Sequence, residues 1–270
     1  MENAKPAHTA PLLWPCEALW EAVAPLLPGF TVEVLPAVDS TNSELMRRAR
    51  AGRLEPLLLV AERQTAGRGR LGRDWLSTAQ ADGASLTFSL GLPFAPADWS
   101  GLSLAVGLSV VQSLHSALQL KWPNDVWLQG RKLAGILIET VSVGEVRFAV
   151  IGIGINITPR DATGLAIPPA ALSELLPHIS APLALAFIVP DLVLALQNFE
   201  REGFASLRTD FHARDLLYGQ TVVCSDNVTG MARGVDANGA LMVHTANGLK
   251  KISSAEVSVR PTLEPPLSHL

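Results

Sequence analysis

An α/β domain followed by a small all-β domain is the fold class this sequence predicts. Apolar strand-like runs alternate with helical stretches from residue 31 to about 215. After Tyr218 the texture changes to short strands separated by Asn-Gly turns. With 270 residues and 48% apolar residues the chain can bury one large core and a smaller one.

Residues 1–30 read as an N-terminal extension. Pro11, Pro15, Pro25 and Pro28 break it up and leave room for one helix from Glu17 to Leu27. The extension is too short for a winged helix-turn-helix, so no DNA-binding domain is expected there. Thr31–Leu35 alternates as a strand. In Asp39-Ser40-Thr41-Asn42-Ser43-Glu44, Thr41 and Glu44 fit a capping box for the helix that continues through Leu45-Met46-Arg47-Arg48-Ala49, and Ser40 is the other candidate cap. Such a cap is ordinary helix chemistry. It also leaves hydroxyls and backbone N–H groups where a polar ligand can be held. Leu57-Leu58-Leu59-Val60-Ala61 reads as a buried strand.

Gln64-Thr65-Ala66-Gly67-Arg68-Gly69-Arg70-Leu71-Gly72-Arg73 follows it. The glycines allow close backbone approach to a ligand, and the arginine forks match phosphate or carboxylate oxygens in pairs. The stretch spells G-x-G-x-x-G, yet Asp74-Trp75-Leu76 starts no helix and no acid closes the next strand, so a dinucleotide fingerprint is excluded. A Walker A loop is excluded by the missing Gly-Lys-Ser/Thr. Taken alone, the loop suits a nucleoside triphosphate, nucleic acid or solvent.

Charge narrows that choice. The net charge is −4 and only 17% of residues are charged, so the basic loop is a local feature, better matched to a small anion than to a long polyanion. Cys16 and Cys224 show no metal spacing, and the histidines form no ligand cluster. No run of 18 apolar residues predicts a membrane span and no basic segment opens a signal peptide, so a reducing cytoplasm is the expected compartment.

Gly83–Leu90 reads as a strand and Trp99–Leu118 as a long buried helix. In Leu120-Lys121-Trp122-Pro123-Asn124-Asp125-Val126-Trp127, a Lys and an Asp are held at a bend between short strands. Gly130-Arg131 is a hairpin turn leading into the strand Lys132–Glu139, where Gly135 signals close approach of a ligand or backbone. Val146–Ile151 runs on into Gly152-Ile153-Gly154-Ile155-Asn156, whose alternate glycines leave one strand face bare for a flat ligand. Ala170–Leu176, Leu183–Glu202 and Phe204–Arg214 read as helices, the second interrupted by Pro190 or holding it in its first turn. Gln220–Cys224, Met231–Val235, Leu241–Thr245, Leu249–Ile252 and Glu256–Val259 read as the strands of a small barrel, with Asn238-Gly239 and Asn247-Gly248 as turns.

In their order, the arginine loop, Lys121-Trp122-Pro123-Asn124-Asp125, Lys132-Leu133-Ala134-Gly135-Ile136-Leu137 and Gly152-x-Gly154-x-Asn156 resemble the bacterial biotin protein ligases over residues 31–260. The resemblance implies a catalytic domain (31–215) with a central mixed sheet flanked by helices, of the class II synthetase-like biotin/lipoate ligase type. A small SH3-like domain (218–262) would follow. It implies a single-function ligase that joins biotin and ATP as biotinyl-5′-AMP, with Mg²⁺ held mainly by the ATP phosphates, then passes biotin to a lysine of a carrier protein, usually the biotin domain of acetyl-CoA carboxylase. Arg68, Arg70 and Arg73 would clamp biotinyl and phosphate oxygens. Lys132 would bridge carboxylate and α-phosphate, with Lys121 close by. Asp125 would hold metal or adenylate, or accept the incoming lysine's proton. Ser40, Thr41, Asn42 and Gln64 match biotin-contacting positions, and Gly135, Gly152 and Gly154 would floor the pocket. Gly67, Gly69, Trp75, Asn124, Ile136 and Asn156 complete the implied ligand contacts. A homodimer through a sheet edge is compatible with the family. Two rival readings stand beside it: a lipoate ligase or octanoyltransferase of the same fold, with an acyl tunnel, and a nucleic-acid-binding module built on the arginine loop and the barrel. The net charge and the lack of an aromatic platform in the barrel speak against the second.

Overall fold

The structure is a computed structural model that describes residues 12–75, 83–160, 167–225, 227–253 and 259–261. Its main sheet collects β1 (Thr31–Leu35), β2 (Leu57–Ala61), β3 (Ser85–Pro93), β4 (Gln119–Lys121), β5 (Asp125–Leu128), β6 (Arg131–Val143) and β7 (Val146–Asn156). The spatial order is β1-β2-β3-β7-β6-β5-β4. Only β1 and β2 run parallel; every other pair is antiparallel, so the sheet is mixed. The central strands β3 and β7 are buried on both faces, which is why their apolar runs are nearly continuous rather than alternating.

Helices cover both faces. On one side, α1 (Cys16–Val23), α3 (Leu102–Leu114) and α4 (Ala181–Glu202) pack a core through Leu19, Val106, Val110, Leu185, Ile188 and Leu192. On the other, α2 (Thr41–Arg50) lays Leu45, Met46 and Ala49 on Leu59, Phe148 and Val150. The predicted Thr41–Glu44 capping box does not form. Ser40 is the N-cap, accepting from Ser43 N–H at 3.4 Å, and the carboxylate of Glu44 turns to Arg47 and Arg48. Thr41 is thereby freed for the interior.

Five helix expectations are corrected, the helix read over Trp99–Leu118 being confined to Leu102–Leu114. The first helix stops at Val23, just short of Pro25. Ala170–Leu176 holds only a 3₁₀ turn, Leu172–Glu174, because its backbone is tied elsewhere: Ala170 N–H donates to the Lys132 carbonyl and Ala171 N–H to the Glu174 carboxylate. Pro190 neither breaks α4 nor lies in its first turn. The helix runs through it from an N-cap at Ser180 to Gly203, which takes φ 68°. Burial of Leu185, Ile188, Leu192 and Leu196 offsets the lost N–H, which costs about 3 kcal/mol in an unsupported helix. Phe204–Arg214 divides into a 3₁₀ turn and the short α5 (Arg208–His212). Helix α4 is also the one described helix long and apolar enough to cross a membrane, and its apolar stripe is spent on the core.

The second sheet contains β8 (Thr221–Cys224), β9 (Thr229–Val235), β10 (Leu241–Thr245), β11 (Gly248–Ile252) and β12 (Val259–Pro261) in the order β11-β10-β9-β8-β12, all antiparallel. It is the SH3-like unit; of the predicted last strand, residues 256–258 lie outside the described residues. The seam to the main sheet is polar and specific. Trp122, fully buried, donates its indole N–H to the Gly239 carbonyl at 3.0 Å, and Lys121 Nζ donates to the Val259 carbonyl at 2.7 Å. Val235 N–H donates to His212 Nε2 at 2.9 Å, and burial pushes that imidazole below its usual range.

Asp215 lies at the same seam. One carboxylate oxygen accepts from Leu217 N–H at 2.9 Å; the other is buried without a partner among the described residues. Burial pushes its pKa up from 3.8 to about 6. A raised folded pKa means stability present below the unfolded value and lost as pH rises through the folded one. Stability should therefore decline between about pH 4 and 6 by about 2–3 kcal/mol from this group. Asp215→Asn should remove that decline in urea unfolding curves and be the more stable protein at neutral pH; an unchanged pH profile would contradict the assignment.

Candidate functional site

One cleft opens where the ends of β2, β5, β6 and β7 meet the N-terminus of α2 and the arginine loop. The loop is a closed hairpin: Gly69 N–H donates to the Arg73 carbonyl at 2.7 Å and Trp75 N–H to the Gly67 carbonyl at 2.9 Å. Its tip is a 3₁₀ turn, Arg70–Gly72, with Leu71 at φ 57°. Arg68, Arg70 and Arg73 all line the cleft. Arg68 pairs with Glu139 at 3.0 Å. Burial pushes the Arg70 guanidinium below its ordinary value, with Asp125 pulling the other way and Arg73 adding to the repulsion. A cation so placed gains from any anion that enters.

Facing the arginines is Lys132. Between Val126 and Trp127 of β5 the register to β6 shifts, so that Ala134 opposes Val126 while Lys132 opposes Trp127. The bulge leaves Leu133 as the extra residue and turns Lys132 to the face of Asp125. There Lys132 Nζ meets Asp125 Oδ1 at 2.7 Å. Gly135 opposes Asp125, and a Cβ at that position would sit 3.3 Å from Lys132 Nζ. The bare glycine thus gives the lysine chain its path over the strand.

The floor is β7, and its glycines are occupied by the protein's own side chains. A Cβ on Gly152 would lie 2.0 Å from Asn42 Oδ1, and one on Gly154 would lie 2.4 Å from Trp75 Cε2. The bare strand face is therefore where Asn42 and the Trp75 indole lie, and a ligand is bounded by them rather than by naked strand. The wall above is Ser40, Thr41 and Gln64. Gln64 Oε1 accepts from Thr41 N–H at 2.7 Å.

Most sequence-derived positions come together: Ser40, Thr41, Asn42, Gln64, Arg68, Gly69, Arg70, Arg73, Trp75, Asn124, Asp125, Lys132, Gly135, Ile136, Gly152 and Gly154 all line this cleft. Three do not. Gly67 sits behind the hairpin, where a Cβ would strike the Trp75 carbonyl at 2.4 Å. Lys121 is drawn to the barrel through Val259 and lies over the Trp127 ring. Asn156 is buried beyond the floor, donating to the Ala170 carbonyl at 3.1 Å, and its Oδ1 has no partner among the described residues. Sequence reasoning missed Asp74, Thr87, Phe88, Leu137 and Ile153, which also line the cleft, and the Ser89 and Glu139 that stand behind it. The signal for Glu139 was its i+2 spacing from Leu137 on β6; for Thr87 and Ser89 it was the alternate hydroxyls Ser85, Thr87 and Ser89 in an otherwise apolar strand.

With this geometry in place, comparison with known proteins is decisive. Residues 34–156 match the model of the biotin/lipoate A/B protein ligase family, and residues 221–260 match that of the biotin protein ligase C-terminal domain. The bifunctional ligase/repressor BirA of Escherichia coli is 35% identical over 247 residues, 87% of this chain and 75% of that protein. The chain belongs to the biotin protein ligase family. The biotin--[acetyl-CoA-carboxylase] ligase of Paracoccus denitrificans is 31% identical, with 83% of this chain matched to 98% of that one. Among solved structures, the biotin protein ligase from Aquifex aeolicus in complex with biotin and ATP superimposes with a TM-score of 0.73 at 30% identity, covering 86% of this chain and 99% of that chain.

A direct check of the ligase floor is Gly154→Ala. The added methyl evicts the Trp75 indole, so biotin affinity should fall by at least about tenfold, while the melting temperature changes by only a few degrees because the strand ladder is kept. Isothermal titration with biotin and a thermal melt measure both; unaltered biotin affinity would remove Trp75 from the site.

Proposed function

We propose that this chain activates biotin with ATP to give biotinyl-5′-AMP and pyrophosphate, then transfers biotin to a lysine of a carrier domain such as that of acetyl-CoA carboxylase. The observation that carries the proposal is the cluster of Lys132, Arg68, Arg70 and Arg73 around one cleft, opposite the neutral hydrogen-bonding groups of Ser40, Thr41, Asn42 and Gln64. Coupling a carboxylate to a phosphate brings two anions together, and fixed cations aimed at the developing charge lower that barrier.

In the first half-reaction a biotin carboxylate oxygen attacks the α-phosphorus and pyrophosphate leaves. Lys132, moving from Asp125 to the reactants, bridges the attacking carboxylate and the α-phosphate. Arg68, Arg70 and Arg73 hold the remaining oxygens, while Asn156, buried beyond the floor, supports β7 from behind by donating to the Ala170 carbonyl. In the second half-reaction the carrier lysine attacks the biotinyl carbonyl, AMP leaves, and Asp125 accepts the ammonium proton. No three His, Cys, Asp or Glu side chains gather into a metal site among the described residues. Magnesium would therefore ride on the triphosphate, with Asp125 and Asp74 the carboxylates that line the cleft. Lys121 would act at the seam, holding the barrel against β4, instead of touching the reactants.

The division into a catalytic domain (31–215) and a C-terminal domain (218–262) belongs to the same proposal, as does a cytoplasmic location. The P. denitrificans ligase is matched over 98% of its length, which supports the ligase reading of the matched residues. A homodimer would use β6, which pairs with β5 only as far as Gly135 while β7 follows it to Val143, leaving an edge.

Lys132→Ala should abolish pyrophosphate release while biotin binding survives in part. Pyrophosphate formation at the wild-type rate would refute the role of Lys132. Biotin with ATP should raise the melting temperature where lipoate with ATP does not; the reverse result would select the lipoate ligase reading.

A further inference from the structure

Behind the cleft wall runs a continuous hydrogen-bonded chain whose members outside the cleft are Ser89 and Glu139. Glu139 Oε2 accepts from Asn42 Nδ2 at 3.0 Å, and the Leu137 carbonyl accepts from the same nitrogen at 3.1 Å. Carbonyl and ion-paired carboxylate oxygens only accept, so they fix which end of the Asn42 amide is nitrogen. Asn42 Oδ1 must then be the acceptor facing Ser89 Oγ, 2.7 Å away. Ser89 is fully buried and has a single proton, which goes to Asn42. Its 2.7 Å contact with Thr41 Oγ1 can close only if Thr41 donates. Gln64 Oε1, 3.1 Å from the same hydroxyl, is the longer alternative and already takes the Thr41 backbone N–H.

The consequence is directional. With its proton committed inward, Thr41 Oγ1 turns its lone pairs to the cleft, next to an amide oxygen of Gln64. Two acceptors side by side require a ligand head that brings N–H donors. A cyclic urea does; a dithiolane or a plain acyl chain does not, and leaves buried acceptors unpaired.

We infer that Ser89 and Glu139 are positioning residues that set the proton direction along Thr41 and Asn42, and so make the cleft select a head group with N–H donors. The inference rests on the ligase reading and deepens it. Glu139 has a second hand: its Oε1 holds Arg68, so the same carboxylate joins the floor of the cleft to the arginine loop.

The test is calorimetry of the wild-type chain, Ser89→Ala and Glu139→Gln with biotin, with lipoate and with ATP-Mg²⁺, alongside melting temperatures. Ser89→Ala should weaken biotin by about tenfold or more, the effect of a buried partner left unmatched, while its ATP affinity stays within about twofold; Glu139→Gln, which also releases Arg68, should weaken biotin at an unchanged melting temperature. In steady-state assays of Ser89→Ala the same split should appear as a raised KM for biotin with the KM for ATP kept. The partly exposed Glu139 guards against a folding defect at the buried Ser89. Variants that bind biotin as the wild type does would overturn the inference. So would an equal loss of biotin and ATP binding with a fall in melting temperature, which marks a merely structural role. A wild-type chain that binds no biotin would overturn the ligase reading and this inference with it.

Discussion

Cations held in advance against carboxylates are the interaction on which this structure depends. Lys132 rests on Asp125 at 2.7 Å and Arg68 on Glu139 at 3.0 Å. A lysine and an arginine without partners in a half-closed cleft would repel each other and Arg70. A cleft without cations would repel both substrates. Under the proposed reaction, each cation would trade its carboxylate for a substrate oxygen and so keep an anionic partner throughout. Burial and the neighbouring Arg73 hold the Arg70 guanidinium below its ordinary value, with Asp125 opposing them.

The rest of the fold puts those pairs in place. The bulge on β6 decides that Lys132, and not Leu133, shares a face with Asp125. The glycines of β7 let Asn42 and Trp75 lie flat on the strand. Ser40 caps α2 and so frees Thr41 to turn inward. The seam through Trp122, Lys121 and His212 fixes the SH3-like sheet against the hairpin that carries Asp125. The seam and the arginine hairpin are separate parts of the chain, one fixing the sheets together and the other presenting cations to the cleft.

Much of this was legible in the residues. The strand runs, the change of texture after Tyr218 and the ordered motifs located the two sheets and most residues of the cleft, though not Asp74, Thr87, Phe88, Leu137 or Ile153. What was not legible depended on tertiary pairing. Lys121 and Lys132 look alike in sequence, each beside a turn; only the hydrogen bond to the Val259 carbonyl and the bulge between β5 and β6 send one to the barrel and the other to the cleft. The capping box at Thr41–Glu44 failed because Arg47 and Arg48 offer Glu44 charge-assisted partners better than a backbone N–H. Proline led the reading astray at Pro190, where core burial overrode local propensity. Ser89 was hidden because alternate hydroxyls in an apolar strand mark a shared face but not its partners.

The most direct measurement is a crystal structure of this chain with biotin and a non-hydrolysable ATP analogue. The account predicts that Lys132 Nζ leaves Asp125 and stands within hydrogen-bond distance, about 3 Å, of both the biotin carboxylate and the α-phosphate, with Arg68 and Arg70 on their remaining oxygens. A structure with both ligands seated and Lys132 still on Asp125, out of reach of either reacting oxygen, would contradict it.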